Sequence, residues 1–272
     1  MAAFRKLQPD DAFQFDCHPG IGCFNRCCRD LNQYLTPYDI LRLKHGLKLS
    51  SRQFLDQFTQ CHTGPRSGLP VVSLKMLKDE DLNCPFVSPS GCTVYEDRPG
   101  SCRTYPLGRM AVRKPGRQGC REFYILIQEA HCLGFAQPRQ WTVRQWKKDQ
   151  NLHLYNEMND LMLDILSLKR RRSKQLTREE RELFYMACYD LDRFRGLTFE
   201  KRLWEAGPVR QDRVEALRGD DVALMRFAVE WIKGVLFGGN GGVNVDLGVA
   251  RKTPSTTEKR DDVMLRSHRD ES

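Results

Sequence analysis

Nowhere in the 272-residue chain do about 18 consecutive apolar residues occur, so no segment reads as a helix able to cross a bilayer. The first residues, MAAFRKLQPDDAF, show no apolar run of the kind that directs secretion. Several chemistries are missing as well. No two cysteines stand at C-x-x-C spacing, which removes the thioredoxin type of redox pair. There is no HExxH zinc motif, no G-x-x-x-x-G-K-[ST] phosphate loop and no G-x-S-x-G nucleophile elbow. A radical-SAM type C-x3-C-x2-C would need cysteine at position 30, where Asp30 stands. The glycines at 238 to 242 lack the strand-to-helix setting of a dinucleotide site. The expectation is a soluble cytoplasmic protein that does not bind membranes.

What the sequence does have is sulfur: eleven cysteines, all but Cys188 before residue 133. A chain of this length can bury an ordinary core without covalent help. In a reducing compartment such thiols serve as metal ligands or reactive groups rather than structural disulfides. Cys17, Cys23, Cys27 and Cys28 form C-x5-C-x3-C-C, with Gly20 and Gly22 in the first gap expected to supply tight turns. Cys84, Cys92 and Cys102 each sit beside Pro, Gly or Ser in loop context, and Cys120 and Cys132 follow. One zinc ion takes four ligands and one iron-sulfur cluster usually takes four thiolates, so the module offers about twice one site's need. Two sites, or one site with spare cysteines, both remain open. The adjacent Cys27 and Cys28 point apart on extended backbone, which favours service to two centres.

Periodicity predicts an α+β fold in which helix dominates, with a short sheet and loops around the cysteines. LTPYDILRLKHG reads as a helix, with Thr36 as N-cap, Pro37 in the first turn and an end near Gly46. SSRQFLDQF reads as a second helix, with Cys61 after it expected to be a buried apolar residue. PVVSLKML (70 to 77), CTVYEDRPG and REFYILIQEAHC read as strand-like runs. Thr142 is expected to cap a helix, and NLHLYNEMNDLMLDILSL carries a helical apolar stripe ending at the basic run KRRRSK. TREERELFYMACYDLDRF opens on a capping box at Thr177 and reads as one helix, with Cys188 mid-helix as packing. TFEKRLWEA and DDVALMRFAVEWIKGVLFG complete the helical set. The expected organisation is a cysteine module over residues 1 to 150, a helical region over 151 to 238 and a flexible tail over 239 to 272.

Charge is uneven: the net value is +9, and Ser101 to Gln150 holds ten Lys or Arg against three acidic residues. A basic face of this kind can meet an anionic protein partner, or simply be solvated. Nucleic acid is disfavoured, since no aromatic-rich RNA-binding signature or basic helix-turn-helix accompanies it. Arg98 and Arg103, in YEDRPGSCRTYP, have two readings: offsetting thiolate charge, or pairing with Glu96 and Asp97. His18 and His131 each neighbour a candidate cysteine and are candidates to coordinate or orient.

Four stretches in order, GIGCFNRCC, YLTPYDILRLKHGLKLSSRQFLDQF, CPFVSPSGCTVYEDRPGSCRTYPLGR and EAHCLGFAQPRQWTVRQWKKDQ, carry a resemblance. From residue 15 to about 150 the chain resembles the putative zinc- or iron-chelating CxxCxxCC domain family, a group that also includes flagellin lysine N-methylase. The gaps here are x5 and x3 where the family name has x2. The resemblance implies metal roles for Cys17, Cys23, Cys27, Cys28, Cys84, Cys92, Cys102 and Cys132, with zinc or an iron-sulfur cluster as cofactor; Cys120 fits the pattern less well. The expected function is a metal-binding cysteine-cluster protein. The alternatives are a metal-dependent protein-modifying enzyme resembling the methylase, or a redox and metal-handling adaptor that docks on a protein partner.

Overall fold

The computed structural model describes residues 5–113, 120–172, 175–206 and 211–238. The expected tail at 239 to 272, and the last two residues of the basic run KRRRSK, lie outside them.

The chain begins with two short strands, β1 (Lys6–Leu7) and β2 (Ala12–Gln14), and passes through the first cysteine loop to β3 (Tyr34–Leu35). Two capped helices follow, α1 (Pro37–Gly46) and α2 (Ser51–Phe58). Thr36 and Asp39 form a reciprocal capping box, and Ser50 with Gln53 forms a second, which is why both helices start where the sequence predicts. Then come β4 (Thr59–Thr63), β5 (Pro70–Leu74), the small hairpin β6 (Val87–Ser88) and β7 (Gly91–Cys92), and α3 (Gly100–Thr104). A longer hairpin, β8 (Leu107–Arg113) and β9 (Cys120–Leu126), leads to β10 (Gln140–Thr142). The rest is helical: α4 (Val143–Asp149), α5 (Leu152–Arg171), α6 (Arg178–Cys188), α7 (Leu191–Glu200), α8 (Gln211–Gly219) and α9 (Asp221–Phe237).

All strand pairing is antiparallel and the sheets are small: β1-β9-β8, β3-β5-β4, and the pairs β10-β2 and β6-β7. Long helices and short sheets make this an α+β fold with helix dominant, as the pattern predicts. No helix among the described residues is long and apolar enough to cross a membrane.

Two apolar clusters organise the packing. The larger runs from Leu35 on β3 to Leu236 on α9 and includes Leu43, Phe54, Ile165, Phe184, Phe194 and Ile232, so the helices at the C-terminal side pack on α1, α2 and β5. The smaller joins Leu7, Phe13, Phe15, Leu107, Tyr124, Val143 and Trp146. Its rings meet edge to face, Phe15 with Tyr105 at 5.7 Å and with Trp146 at 5.7 Å, which fixes the start of the cysteine loop against β10 and α4.

Five expectations need correction. The segment from Thr177 is two helices, because the chain breaks at Tyr189 and Asp190 starts α7 as a fresh N-cap; Cys188 is thus the last residue of α6, and it is buried in the core. TFEKRLWEA is not continuous: α7 ends at Glu200, and Arg202 turns the chain at φ 50° before a single 3-10 turn. CTVYEDRPG contributes only the two-residue β7 and a 3-10 turn over Tyr95–Asp97, and the strand from Pro70 stops at Leu74. Cys61 is exposed on β4, which pairs with β5 alone and presents its outer residues to solvent.

Lys44 ties the two ends of the chain together. Its buried ammonium lies 2.6 Å from Asp192 and 3.7 Å from Asp221, while Asp192 also accepts from the Ser51 amide at 2.6 Å and Asp221 from His45 at 2.6 Å and from Arg195. Burial works against both carboxylates, yet the bonds from Lys44, Ser51 and Arg195 hold their pKa values below the usual 3.8. A depressed carboxylate contributes stability above its ordinary value and loses it as pH falls through the folded value. Lys44→Met is therefore expected to lower unfolding free energy by about 2 kcal/mol at neutral pH. Urea titrations of both proteins should show this gap narrowing once the pH drops below about 4.

A cysteine-lined candidate metal centre

The first cysteine loop is closed at its base by β2 and β10. Phe13 pairs with Trp141, the Phe15 amide donates to Arg139 O at 2.9 Å, and the Asp16 amide donates to Gly134 O at 3.0 Å. Cys17 thus leaves the sheet directly beside the turn that carries Cys132. Gly134 is required there: a Cβ would lie 2.7 Å from Asp16 O and 2.7 Å from the Phe15 ring. The adjacent Leu133 amide donates to the buried Cys23 sulfur at 3.2 Å.

From His18 to Cys28 the chain advances by consecutive tight turns, with amide bonds from Ile21 to His18 O, Phe24 to Ile21 O, Arg26 to Cys23 O and Cys28 to Asn25 O. The expectation that Gly20 and Gly22 supply positive φ is not met; Asn25 at φ 67° and Asp30 at φ 46° do so instead. Asparagine and aspartate tolerate that region because short polar side chains can bond locally, and Asn25 Nδ2 donates to Ser88 O at 2.8 Å. Arg26, Cys27 and Cys28 form a 3-10 turn, so the adjacent cysteines are not on extended backbone.

The second group of cysteines is brought to this turn by backbone bonds. The Cys84 amide donates to Cys28 O at 2.8 Å, the Asp30 amide donates to Leu82 O at 3.0 Å, and Arg29 bridges Asn83. Cys92 lies across the small hairpin from Val87, whose amide donates to Cys84 O at 3.1 Å. Gly91 makes that hairpin possible, since it sits at φ 121° and its bare Cα faces the Phe24 ring. Cys102 projects from α3, its sulfur 3.6 Å from Gln33 Oε1.

The thiols also sense one another. Burial, then Cys27, Cys23 and Cys132, push Cys17 up to about 11. Burial, then Cys84, Asp39, Cys92 and Cys27, push Cys102 up to about 12, so protein packs densely about a sulfur on an otherwise exposed residue. Burial raises Cys84 and Cys92, with Arg98 opposing the rise at Cys92. Cys27 and Cys28 ionise as a unit: the Cys27 thiolate accepts from the Cys28 thiol, which lowers the first and raises the second.

Cys17, Cys23, Cys27 and Cys28 in the first loop, Cys84 and Cys92 at the small hairpin, Cys102 on α3 and Cys132 in its turn are thus linked pair by pair within electrostatic range. All are free thiols, and among the described residues no three His, Cys, Asp or Glu side chains already converge closely enough to hold an ion. Soft sulfur donors in this number suit zinc or iron-sulfur chemistry. The buried Tyr105 hydroxyl faces the Cys132 sulfur, and burial followed by that contact raises its pKa. Three other cysteines stand apart. Cys120 opens β9 beside Asp160 and Arg113, Cys61 faces solvent, and Cys188 is sealed in the core.

His18 uses Nδ1 to accept from the Gly20 amide at 3.1 Å, and His131 Nε2 lies 3.4 Å from Glu129, out of hydrogen-bond line. Arg98 and Arg103 follow neither sequence reading in full. Both are buried, and they bond to neutral oxygens: Arg98 to Tyr95 O and Gln150 Oε1, Arg103 to Arg98 O (3.2 Å), Gln150 O (3.1 Å) and Glu96 O. Asp97 pairs instead with Arg42 at 2.6 Å. Two residues with no sequence signal support Cys102. Gln33 donates to Ser101 Oγ at 2.7 Å, and the buried Asp39 carboxylate accepts from the Gly100 amide at 2.7 Å. The basic stretch from 101 to 150 is largely paired internally, Arg109 with Glu122 and Asp160, Arg113 with Asp164, Lys147 with Glu122 and Arg144 with Asp10.

Residues 16–132 match the family model CxxCxxCC, described as a "putative zinc- or iron-chelating domain". That span contains all eight of these cysteines. No curated protein and no solved structure matches the chain.

Gly134→Ala is expected to force Asp16 and the Phe15 ring apart, lowering stability by about 1–3 kcal/mol in chemical denaturation.

Proposed function

We propose that the chain is a metal-binding protein whose cysteine loops hold zinc or an iron-sulfur cluster, in a reducing compartment such as the cytoplasm. One observation carries this reading: backbone bonds such as Cys84 N–H to Cys28 O gather thiols from positions 17 to 132 around one turn. A structural role for those thiols would favour burial among apolar neighbours, as at Cys188; here several sulfurs repel one another when ionised. A bound cation supplies the positive charge that lets neighbouring thiolates coexist, and it stabilises the folded module on the order of 10 kcal/mol if zinc-like. The residues proposed to hold it are Cys17, Cys23, Cys27, Cys28, Cys84, Cys92, Cys102 and Cys132.

The chain's own groups prepare the donors. The Leu133 amide donates to Cys23, Gln33 orients Cys102, and Arg98 favours ionisation of Cys92. Two cavities, of about 300 and 280 Å³, are lined by no cysteine and lie apart from the thiol cluster.

Anaerobic purification with metal analysis and visible absorption tests the reading. Bound zinc, or iron with a broad thiolate-to-iron absorption, is expected, with a fall in melting temperature on chelation. A colourless, metal-free chain whose melting temperature ignores chelators would overturn it.

A further inference from the structure

We infer that the cleft between the β4–β5 turn and the end of α5 binds the phosphate group of a small phosphorylated molecule. No cysteine lines this cleft, so the inference stands independently of the metal-binding reading.

The sequence places GPRSG between β4 and β5 and the basic run KRRR at the end of α5, and the fold sets the two against each other. The cleft has a volume of about 300 Å³, and its walls carry three cations, Arg66 from the turn and Lys169 and Arg170 from the helix, with no carboxylate. A second cavity, lined by Asp220 and Asp221 as well as Arg42 and His45, mixes both signs. Lys169 is only 8% exposed, so its charged chain is part of the wall rather than a tether in solvent. Arg66 and Arg170 are exposed, and among the described residues neither guanidinium makes a hydrogen bond or ion pair. Arg172, in the same run, is by contrast held by Leu236 O at 2.7 Å and Glu180 at 2.8 Å. A cleft lined by one sign of charge focuses its field on whatever enters. The end of a helix carries roughly half a negative charge, which opposes an anion, but three full positive charges outweigh it.

Both walls are fixed before any ligand arrives. In the turn, the Gly64 amide donates to Leu69 O at 2.8 Å and the Gly68 amide to Gly64 O at 2.8 Å, while Tyr189 on the helical side donates to Pro70 O at 3.3 Å. Opposite, Ile165 anchors α5 in the large core. Ser67 Oγ accepts from the Leu69 amide at 3.2 Å, which leaves its proton for a ligand oxygen. Two guanidinium forks and an ammonium match a doubly charged tetrahedral oxyanion, whereas a lone carboxylate would leave cations in excess. The volume lies at the low end of small-molecule clefts and exceeds what an inorganic ion fills. Pro65 and Leu166 give it apolar surface for an organic body.

Isothermal titration calorimetry on the full-length protein tests this with inorganic phosphate, ribose 5-phosphate and AMP, and with ribose and adenosine as uncharged controls. At least one of the two esters is expected to bind about tenfold or more tighter than inorganic phosphate, and the uncharged controls not at all. Arg66→Ala and Arg170→Ala should each weaken that ester by about tenfold, the worth of one charge-assisted hydrogen bond. Arg171→Ala removes an exposed neighbouring charge that does not line the cleft, and a screened surface charge of this kind should change affinity by no more than about twofold. Inorganic phosphate binding as tightly as both esters would overturn the assignment to an organic phosphate. Absence of binding by every probe would overturn the site, and so would an equal loss in all three variants, which marks diffuse attraction to a basic surface.

Discussion

The bond from the Cys84 amide to the Cys28 carbonyl joins positions separated by more than fifty residues, and the remaining arrangement of sulfur follows from it. Closing so long a loop carries an entropic cost that one hydrogen bond cannot offset. The closure is sustained by what lies between: two capped helices and the β3-β5-β4 sheet, which bury Leu35, Leu43, Phe54 and Val72 in the large core. The folded body thus holds the cysteine loops at its surface and brings them near one another. Only the last adjustment, of side chains that now repel when ionised, is left for a ligand.

The same economy governs charge. The molecule is strongly basic, yet several cations of the cysteine-rich half are held by internal carboxylates, such as Arg109 by Glu122 and Asp160. Arg98 and Arg103 differ in having carbonyls for partners. Their guanidiniums join the 3-10 turn at Tyr95–Asp97 to the end of α4 through Gln150, and Tyr155 on α5 donates to Arg98 O at 3.2 Å. They fasten the loop carrying Cys92 and the helix carrying Cys102 to the helical region, and they place positive potential beside those sulfurs.

Much of the framework was legible in the sequence because it is written locally. Thr36, Ser50, Thr142 and Thr177 each cap a helix with an acidic or amide residue three positions on, and the structure shows all four boxes. The helix expected to run unbroken past Tyr189 failed because its apolar spacing persists across a break made by Asp190, whose side chain competes for the Arg193 amide. Strands of two or three residues left almost no period to read, and β1, β2, β3 and β10 exist through pairing with distant partners. The cysteines announced themselves by number. Their supports did not: Gln33, Asp39, Gly134 and Gln150 act through contacts at sequence distances that no spacing rule reaches.

Asp39 does two jobs with one carboxylate. One oxygen completes the cap of α1 by accepting from the Thr36 amide at 2.8 Å, and the other receives the Gly100 amide that begins α3. The starts of two helices are therefore hinged on a single buried side chain. Rotation of the first helix about its own axis would drag the second, and with it the sulfur at position 102, so a disturbance on the far side of the molecule has a mechanical route to the thiol cluster.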